Sequence, residues 1–295
     1  MSFSGAVKEE IARANVGARH CQLAELAAIV QLGCHLGRDA TGKTAILFNS
    51  DNDALQRKYF TLLKKTFNIG TLSELDGDVA WELLQALKLV TSDGVLRDFS
   101  EPVNPLLIKQ SCCKRAYLRG AYLSIGSMSD PKGSYHLELV CDNERQAKQI
   151  CELIADFDLE GRIIERKKHF VVYMKESGSI VDFLNVIDAN VALMEMENER
   201  ILKEVRNSVN RRVNCEAANI TKTVNASAKQ VAEIELLRDR YGLYNLPANL
   251  REMAEVRLEH PDATLAELGE FLDPPVGKSG VNHRLRRLSE IAQGL

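Results

Sequence analysis

The segment Lys278-Ser-Gly-Val-Asn-His-Arg-Leu-Arg-Arg-Leu288 carries Asn and Arg side chains, the types that pair bidentately with adenine and guanine edges in a major groove. At about 100° per residue, Val281, Leu285, Leu288 and Ala292 share one helix face, which must be the packed side. His283, Arg286 and Arg287 point roughly the other way, with Asn282 on the flank toward the helix start. Arg284 lies nearer the packed side, where its stem can snorkel past apolar neighbours. Lys278 and Ser279 stand at the N-terminus, where backbone N–H groups and the helix dipole favour a phosphate. The candidate contacts to double-stranded DNA are therefore Lys278, Ser279, Asn282, His283, Arg286 and Arg287. The same pattern also describes a solvated basic face, with Glu290 as an ordinary surface charge beside it.

Thiols and imidazoles are the other groups able to do chemistry. The seven cysteines, two of them adjacent at Cys112 and Cys113, show neither a disulfide nor a zinc spacing. The nearest candidate sets His20-Cys21 against Cys34-His35, but these pairs flank an apolar helix predicted to be buried. The expectation is no metal, no cofactor and no catalytic residue. Net charge is −3, so any DNA-binding surface must come from local charge segregation. With 45% hydrophobic and 27% charged residues, the composition is that of a soluble globular protein. No apolar run approaches the ~18 residues of a membrane span, and no signal-peptide pattern is present. A reducing cytoplasm and no membrane partner are expected.

The basic segment needs a scaffold. Residues 226–295 read as helical throughout: Ala228–Tyr241 ended by Gly242, then Pro247–Leu258, then a short helix to about Leu272. Thr264-Leu-Ala-Glu267 is a capping box for that short helix, and 273–278 is a turn. Ser279 is expected to cap the last helix, through Ala292. A short helix, a turn and a second helix with a basic face is a helix-turn-helix pattern. Residues 191–225 read as a helical linker: a charged helix to about Val209, then Arg211–Asn225, where apolar periodicity fades and Asn residues favour turns.

Residues 1–190 follow a different plan. Cys113–Ser124 reads as a helix whose Ala116, Gly120 and Ser124 form a stripe of small side chains. Gly inside a helix costs about 1 kcal/mol against Ala, which makes sense where a second helix approaches backbone to backbone. The run Leu23–Gly33 has the same character, and matching Gly33 to Gly126 sets Ala27 on Gly120 and Gln31 on Ser124. Each run is followed by a short strand (Lys43–Asn49, Ser134–Cys141) and an Asp-Asn pair, with Asp51 and Asp142 expected to start helices. The chain thus contains a duplication with a period of about ninety residues, longer than a solenoid unit. Its halves span about 20–100 and 112–188. Residues 161–166 and 169–175 read as a hairpin.

Leu118-Arg-Gly-Ala-Tyr-Leu-Ser-Ile-Gly126 resembles a degenerate LAGLIDADG helix of homing endonucleases. With Cys112-Cys-Lys-Arg-Ala before it, Ser127-Met-Ser-Asp-Pro131 after it, and the segment Val205–Asn219, the chain resembles the WhiA family of bacterial sporulation regulators over essentially its whole length. The resemblance implies an α+β fold: a duplicated LAGLIDADG-like pseudo-twofold domain followed by an all-α helix-turn-helix domain. It also implies a sequence-specific DNA-binding transcriptional regulator, associated with the nucleoid and linked to cell division, chromosome segregation and sporulation.

In LAGLIDADG nucleases an acid precedes the closing Gly, and carboxylates at the foot of the paired helices hold the catalytic cations. The matching positions here are Leu32 and Ile125, neither of which can bind a cation. Lys43, Lys167, Lys168 and Lys175 are candidate phosphate contacts if the sheet surface still meets DNA. The N-terminal domain could instead hold a regulatory protein partner. Two other functions stay open on the residues alone: a metal-dependent endonuclease, and a scaffold whose C-terminal helices bind protein.

Overall fold

The computed structural model describes residues 2–15, 17–39, 42–70, 74–75 and 77–295. They fall into two compact units, Met1–Lys203 and Glu204–Leu295.

The first unit is a duplicated α+β fold. Its first half contains α1 (Phe3–Arg13), α2 (Arg19–Gly33), β1 (Cys34–Arg38), β2 (Thr44–Phe48), α3 (Asp53–Phe67), β3 (Glu74–Leu75) and α4 (Gly77–Ala86). The second half contains α5 (Ser111–Ile125), β4 (Gly126–Met128), β5 (Leu137–Cys141), α6 (Glu144–Ala155), β6 (Arg162–Arg166), β7 (His169–Met174) and α7 (Ser177–Val186). The sheets are antiparallel, in the orders β1-β2-β3 and β4-β5-β7-β6. The predicted hairpin is β6–β7, closed by Lys167 and Lys168 with φ of 49° and 71°, the left-handed pair that a tight two-residue turn requires. β3 is short, with 71–73 and 76 outside the described residues.

α2 and α5 pack against each other at the centre, and both are buried on nearly every side, continuously over Ala24–Gln31 and Ala116–Leu123. A helix enclosed in this way is apolar all round rather than striped, which explains why neither run shows clear amphipathic periodicity. Gly120 lies where the two backbones meet: a Cβ there would stand 2.5 Å from the Glu25 carbonyl oxygen and 3.0 Å from the Ala28 Cβ. Ala28, which it meets, is also its equivalent in the first half, rather than Ala27. The helices correspond with an offset of 92 residues, Arg19 to Ser111 and Gly33 to Ile125. Gly33 ends its helix whereas Gly126 opens a strand, so matching the two glycines shifts the register by one.

Two helix starts also differ from expectation. The caps of α3 and α6 are Asn52 and Asn143, not the preceding aspartates. Asn52 Oδ1 accepts from the amides of Ala54 and Leu55 at 3.0 and 3.2 Å, and Asn143 Oδ1 accepts from Gln146 at 3.0 Å. It is the Asn, at the last extended residue before the helix, whose side chain reaches the free amides of the first turn.

The centre of this unit holds a charge network. Glu25 is 1% exposed and receives the Arg119 guanidinium bidentately at 3.0 and 3.0 Å. Lys58, fully buried, lies 3.4 Å from Glu25 and donates to the carbonyls of Ile11 and Ala14 at 3.1 and 3.2 Å. Arg119 also reaches Asp188, which binds Arg115 at 2.8 Å. Burial pushes the Lys58 ammonium below its ordinary range, while Glu25 pulls it back up.

α8 (Asn190–Arg240) runs through the segment expected to contain turns. From Ser179 to Tyr241 there is no Gly or Pro, so nothing in the chain interrupts the backbone ladder, and Asn is only mildly unfavourable in a helix. Gly242, at φ 80°, follows its end.

Candidate nucleic-acid interface

The second unit contains the end of α8, α9 (Ala248–Glu259), α10 (Leu265–Glu270) and α11 (Lys278–Gln293). Its core is built from Ile234, Leu237, Leu250, Met253, Leu268 and Leu272, together with Val281, Leu285, Leu288 and Ala292 of α11. Those four are the buried residues of α11, the side that the helical spacing selects. Thr264 and Glu267 form the predicted capping box: the Thr264 amide donates to Glu267 Oε2 at 2.7 Å, and the Glu267 amide donates to Thr264 Oγ1 at 3.4 Å.

The turn between α10 and α11 is held by backbone. The Val276 amide donates to the Gly269 carbonyl at 2.9 Å, and a Cβ on Gly269 would collide with the Val276 carbonyl oxygen. Only glycine permits this approach. Behind the turn, buried Arg257 donates from Nε and Nη2 to Gln230 Oε1 at 3.0 and 2.7 Å, and from Nη1 to the Ala263 carbonyl at 2.7 Å. This cation has oxygen acceptors but no carboxylate among these bonds. Burial pushes its pKa down, an effect partly offset by Asp262. Neither Gly269 nor Arg257 stands out in the sequence, since both lie in ordinary helical patterns.

Lys278, Ser279, Asn282, His283, Arg286 and Arg287 are all exposed on α11. Ser279 does not cap the helix. The cap is Gly277, whose carbonyl accepts from Gly280 and Val281 at 2.8 and 3.1 Å. Gly277 has no side chain, so no side-chain oxygen covers the helix start, which stays open to an anion. Arg284 is half-buried and paired with Glu252 at 3.4 Å. Glu290 gathers both outward guanidinium groups, Arg287 at 2.7 Å and Arg286 at 3.7 Å.

In the first unit Lys43, Lys167, Lys168 and Lys175 are exposed; Lys43 pairs with Asp78 at 3.3 Å, and Lys175 lies 5.3 Å from the Tyr173 ring centroid. At the foot of the paired helices, Leu32 and Ile125 pack against the apolar core. With the offset of 92, Ile125 corresponds to Gly33, so neither register supplies a carboxylate at the position the nuclease motif uses.

His20-Cys21 and Cys34-His35 are not brought together, since they bracket the 15-residue α2, a separation of about 20 Å at 1.5 Å per residue. His20-Cys21 instead meets Cys112-Cys113. His20 Nδ1 lies 3.1 Å from Cys113 Sγ and 3.3 Å from Cys21 Sγ. Burial, reinforced by Cys112 and Cys113, pushes the Cys21 thiol up to about 12.

Comparison with known proteins gives this architecture a family. Three family models match in chain order: the WhiA N-terminal LAGLIDADG-like domain over 19–72, the WhiA LAGLIDADG-like domain over 114–206, and the WhiA C-terminal HTH domain over 209–292. A probable cell division protein WhiA from Lachnoclostridium phytofermentans is 46% identical over 312 residues, covering 100% of this chain and 99% of that protein. Its counterpart from Alkaliphilus oremlandii is 44% identical, covering 100% and 98%. The crystal structure of full-length DUF199/WhiA from Thermotoga maritima matches with a TM-score of 0.58 at 28% identity, covering 100% of this chain and 99% of that one. Relatives this similar extend along the whole chain, and the three models match the duplicated domain and the helix-turn-helix unit of this chain in order: the chain belongs to the WhiA family.

Proposed function

We propose that this protein is a sequence-specific regulator of transcription that reads double-stranded DNA with α11 and acts in cell division. The observation that carries the reading is the exposed surface of α11, where His283, Arg286 and Arg287 stand away from the buried Val281, Leu285 and Leu288, with Asn282 exposed on the flank. Lys278 and Ser279 lie at the helix start, where a phosphate would fix the register of the helix on the duplex. The Glu290 pairs do not oppose this role. Exposed ion pairs are worth about 0–1 kcal/mol, so DNA phosphates can replace Glu290 as partner at small cost. The cell-division role rests on the relatives described as probable cell division proteins. Chromosome segregation, association with the nucleoid and, in sporulating organisms, sporulation follow from the family resemblance.

Two substitutions separate phosphate contact from base reading. Arg287→Ala and Asn282→Ala are each measured by fluorescence anisotropy on promoter and scrambled duplexes across a salt titration. Loss of a phosphate contact weakens binding to all sequences and lowers the salt slope by about one, whereas loss of a base contact costs about 1–3 kcal/mol on the specific site only. A double variant that binds promoter DNA as tightly as wild type at every salt concentration excludes α11 as the reader.

The protein is also proposed to lack nuclease activity, because Leu32, Gly33 and Ile125 offer no carboxylate at the foot of the paired helices. Supercoiled plasmid incubated with the protein and Mg²⁺ or Mn²⁺ is expected to remain supercoiled. Nicking that copurifies with the wild type and disappears on substituting a nearby carboxylate would overturn this.

A further inference from the structure

Both central helices begin with a pair of metal-ligating side chains: His20 and Cys21 in the first turn of α2, Cys112 and Cys113 in the first turn of α5. With the helix offset of 92, His20 corresponds to Cys112 and Cys21 to Cys113. The pseudo-twofold relation thus carries one donor pair from each half to a common point. Their four ligand atoms all lie within 4.8 Å of one another, and no second group of three or more His, Cys, Asp or Glu ligand atoms converges in this way among the described residues. We propose that His20, Cys21, Cys112 and Cys113 form a structural site for a thiophilic divalent cation, with zinc as the ion the donor set selects.

The chemistry favours zinc over harder ions. Three sulfurs and one imidazole nitrogen form a Cys₃His set, a common closed tetrahedral zinc site, whereas Mg²⁺ and Ca²⁺ need oxygen ligands. Zn–S bonds of about 2.3 Å place tetrahedral sulfurs roughly 3.8 Å apart, so small side-chain rotations suffice to close the cluster. Cys21 and Cys113 are buried, while His20 and Cys112 face solvent, which gives the ion both a dry seat and an entry path. Neither helix start has a side-chain cap, and the positive ends of two helix dipoles suit a centre that carries net negative charge.

Nearby cations are engaged elsewhere: Arg19 donates to the Thr66 carbonyl, Lys114 binds Asp156, and Arg115 binds Asp188. On binding, each of the three thiols gives up its proton to solvent and its sulfur lone pair to the cation. The imidazole nitrogen donates a lone pair, and no electron is transferred. The ion would then staple the N-terminal ends of α2 and α5, at the opposite end of the pair from the foot where nucleases of this fold hold their catalytic metal.

The test uses the full chain, produced in zinc-supplemented medium and purified without chelator. Elemental analysis is expected to give about one zinc per chain, released by a mercurial thiol reagent and captured by a colorimetric chelator. Replacement by Co²⁺ should produce the thiolate-to-metal charge-transfer band and the strong visible bands of a tetrahedral site. Cys21→Ser and Cys113→Ser should lose the ion, while Cys215→Ser, at an exposed cysteine of the second unit, should keep it. If the first two variants do not fold, X-ray absorption of the zinc-loaded wild type decides, with three sulfurs and one nitrogen in the shell as the expected result. Seven free thiols with no zinc and no cobalt spectrum, an oxygen-dominated shell, or a mapped disulfide linking Cys21 to Cys112 or Cys113 in metal-free protein would each overturn the proposal.

Discussion

Gly120→Leu is expected to destabilise the first unit by about 3 kcal/mol or more while leaving the second unit folded. The contact is between backbones: the added Cβ would stand 2.5 Å from the Glu25 carbonyl oxygen and 3.0 Å from the Ala28 Cβ. Neither neighbour is the end of a flexible side chain, so the helices themselves would have to separate. A better helix former recovers only about 1 kcal/mol relative to Gly, too little to offset the clash. Separation would also pull Glu25 away from Arg119, linking the steric loss to the charge network. The single tryptophan, Trp81 in α4, makes urea unfolding of this unit readable by fluorescence, while circular dichroism, which sums the helices of both units, should keep a second-unit transition like that of wild type. Unfolding that matches wild type would mean that the two helices do not meet at Gly120.

Removing the acid at the centre should cost as much. Glu25→Ala leaves Lys58 and Arg119, which are 0% and 5% exposed, without their shared counter-charge. Breaking a buried pair by deleting one partner typically destabilises by about 3–5 kcal/mol, because the remaining charge is stranded in a low dielectric. The apolar triple variant Glu25→Leu, Lys58→Met, Arg119→Met should recover most of the loss, since matched apolar replacement of a buried ion network is often neutral or better. Urea midpoints with an unchanged slope would measure both. A Glu25→Ala value within about 0.5 kcal/mol of wild type, the range of ordinary surface substitutions, would show that solvent reaches these charges.

Much of this fold is legible in the sequence where a pattern has one physical cause. The stripe of Ala116, Gly120 and Ser124 announces a close helix pair, and the spacing of Val281, Leu285, Leu288 and Ala292 fixes which way α11 faces. What the sequence hides depends on partners distant along the chain. Glu25 is a lone acid in the apolar run Leu23–Gly33, which is a signal, but its cations come from positions 58 and 119. His20 and Cys112 belong to helices that start far apart in the chain, and only the pairing of α2 with α5 joins them. Local ambiguity explains the smaller differences. Asp and Asn both cap helices well, so the Asp-Asn pairs at 51–52 and 142–143 leave the start uncertain by one residue. Gly277 displaces Ser279 as a cap because the chain is already helical at Lys278.

The contact of Gly269 with the Val276 carbonyl sets a tolerance on aim. α11 has 16 residues, a rod of about 24 Å at 1.5 Å per residue. Pivoted at the turn, a tilt of 2° would sweep its far end through roughly 0.8 Å, wider than the ~0.5 Å window separating a good hydrogen bond from a poor one. Arg286 and Arg287, midway along, would move by about half of that. Two backbone segments in hard contact are far less compliant than a layer of methyl groups that can change rotamer. If α11 reads DNA as proposed, pointing accuracy at the guanidinium tips is inherited from Gly269 in the turn, and its replacement would blur discrimination between sequences before it weakened adhesion to DNA.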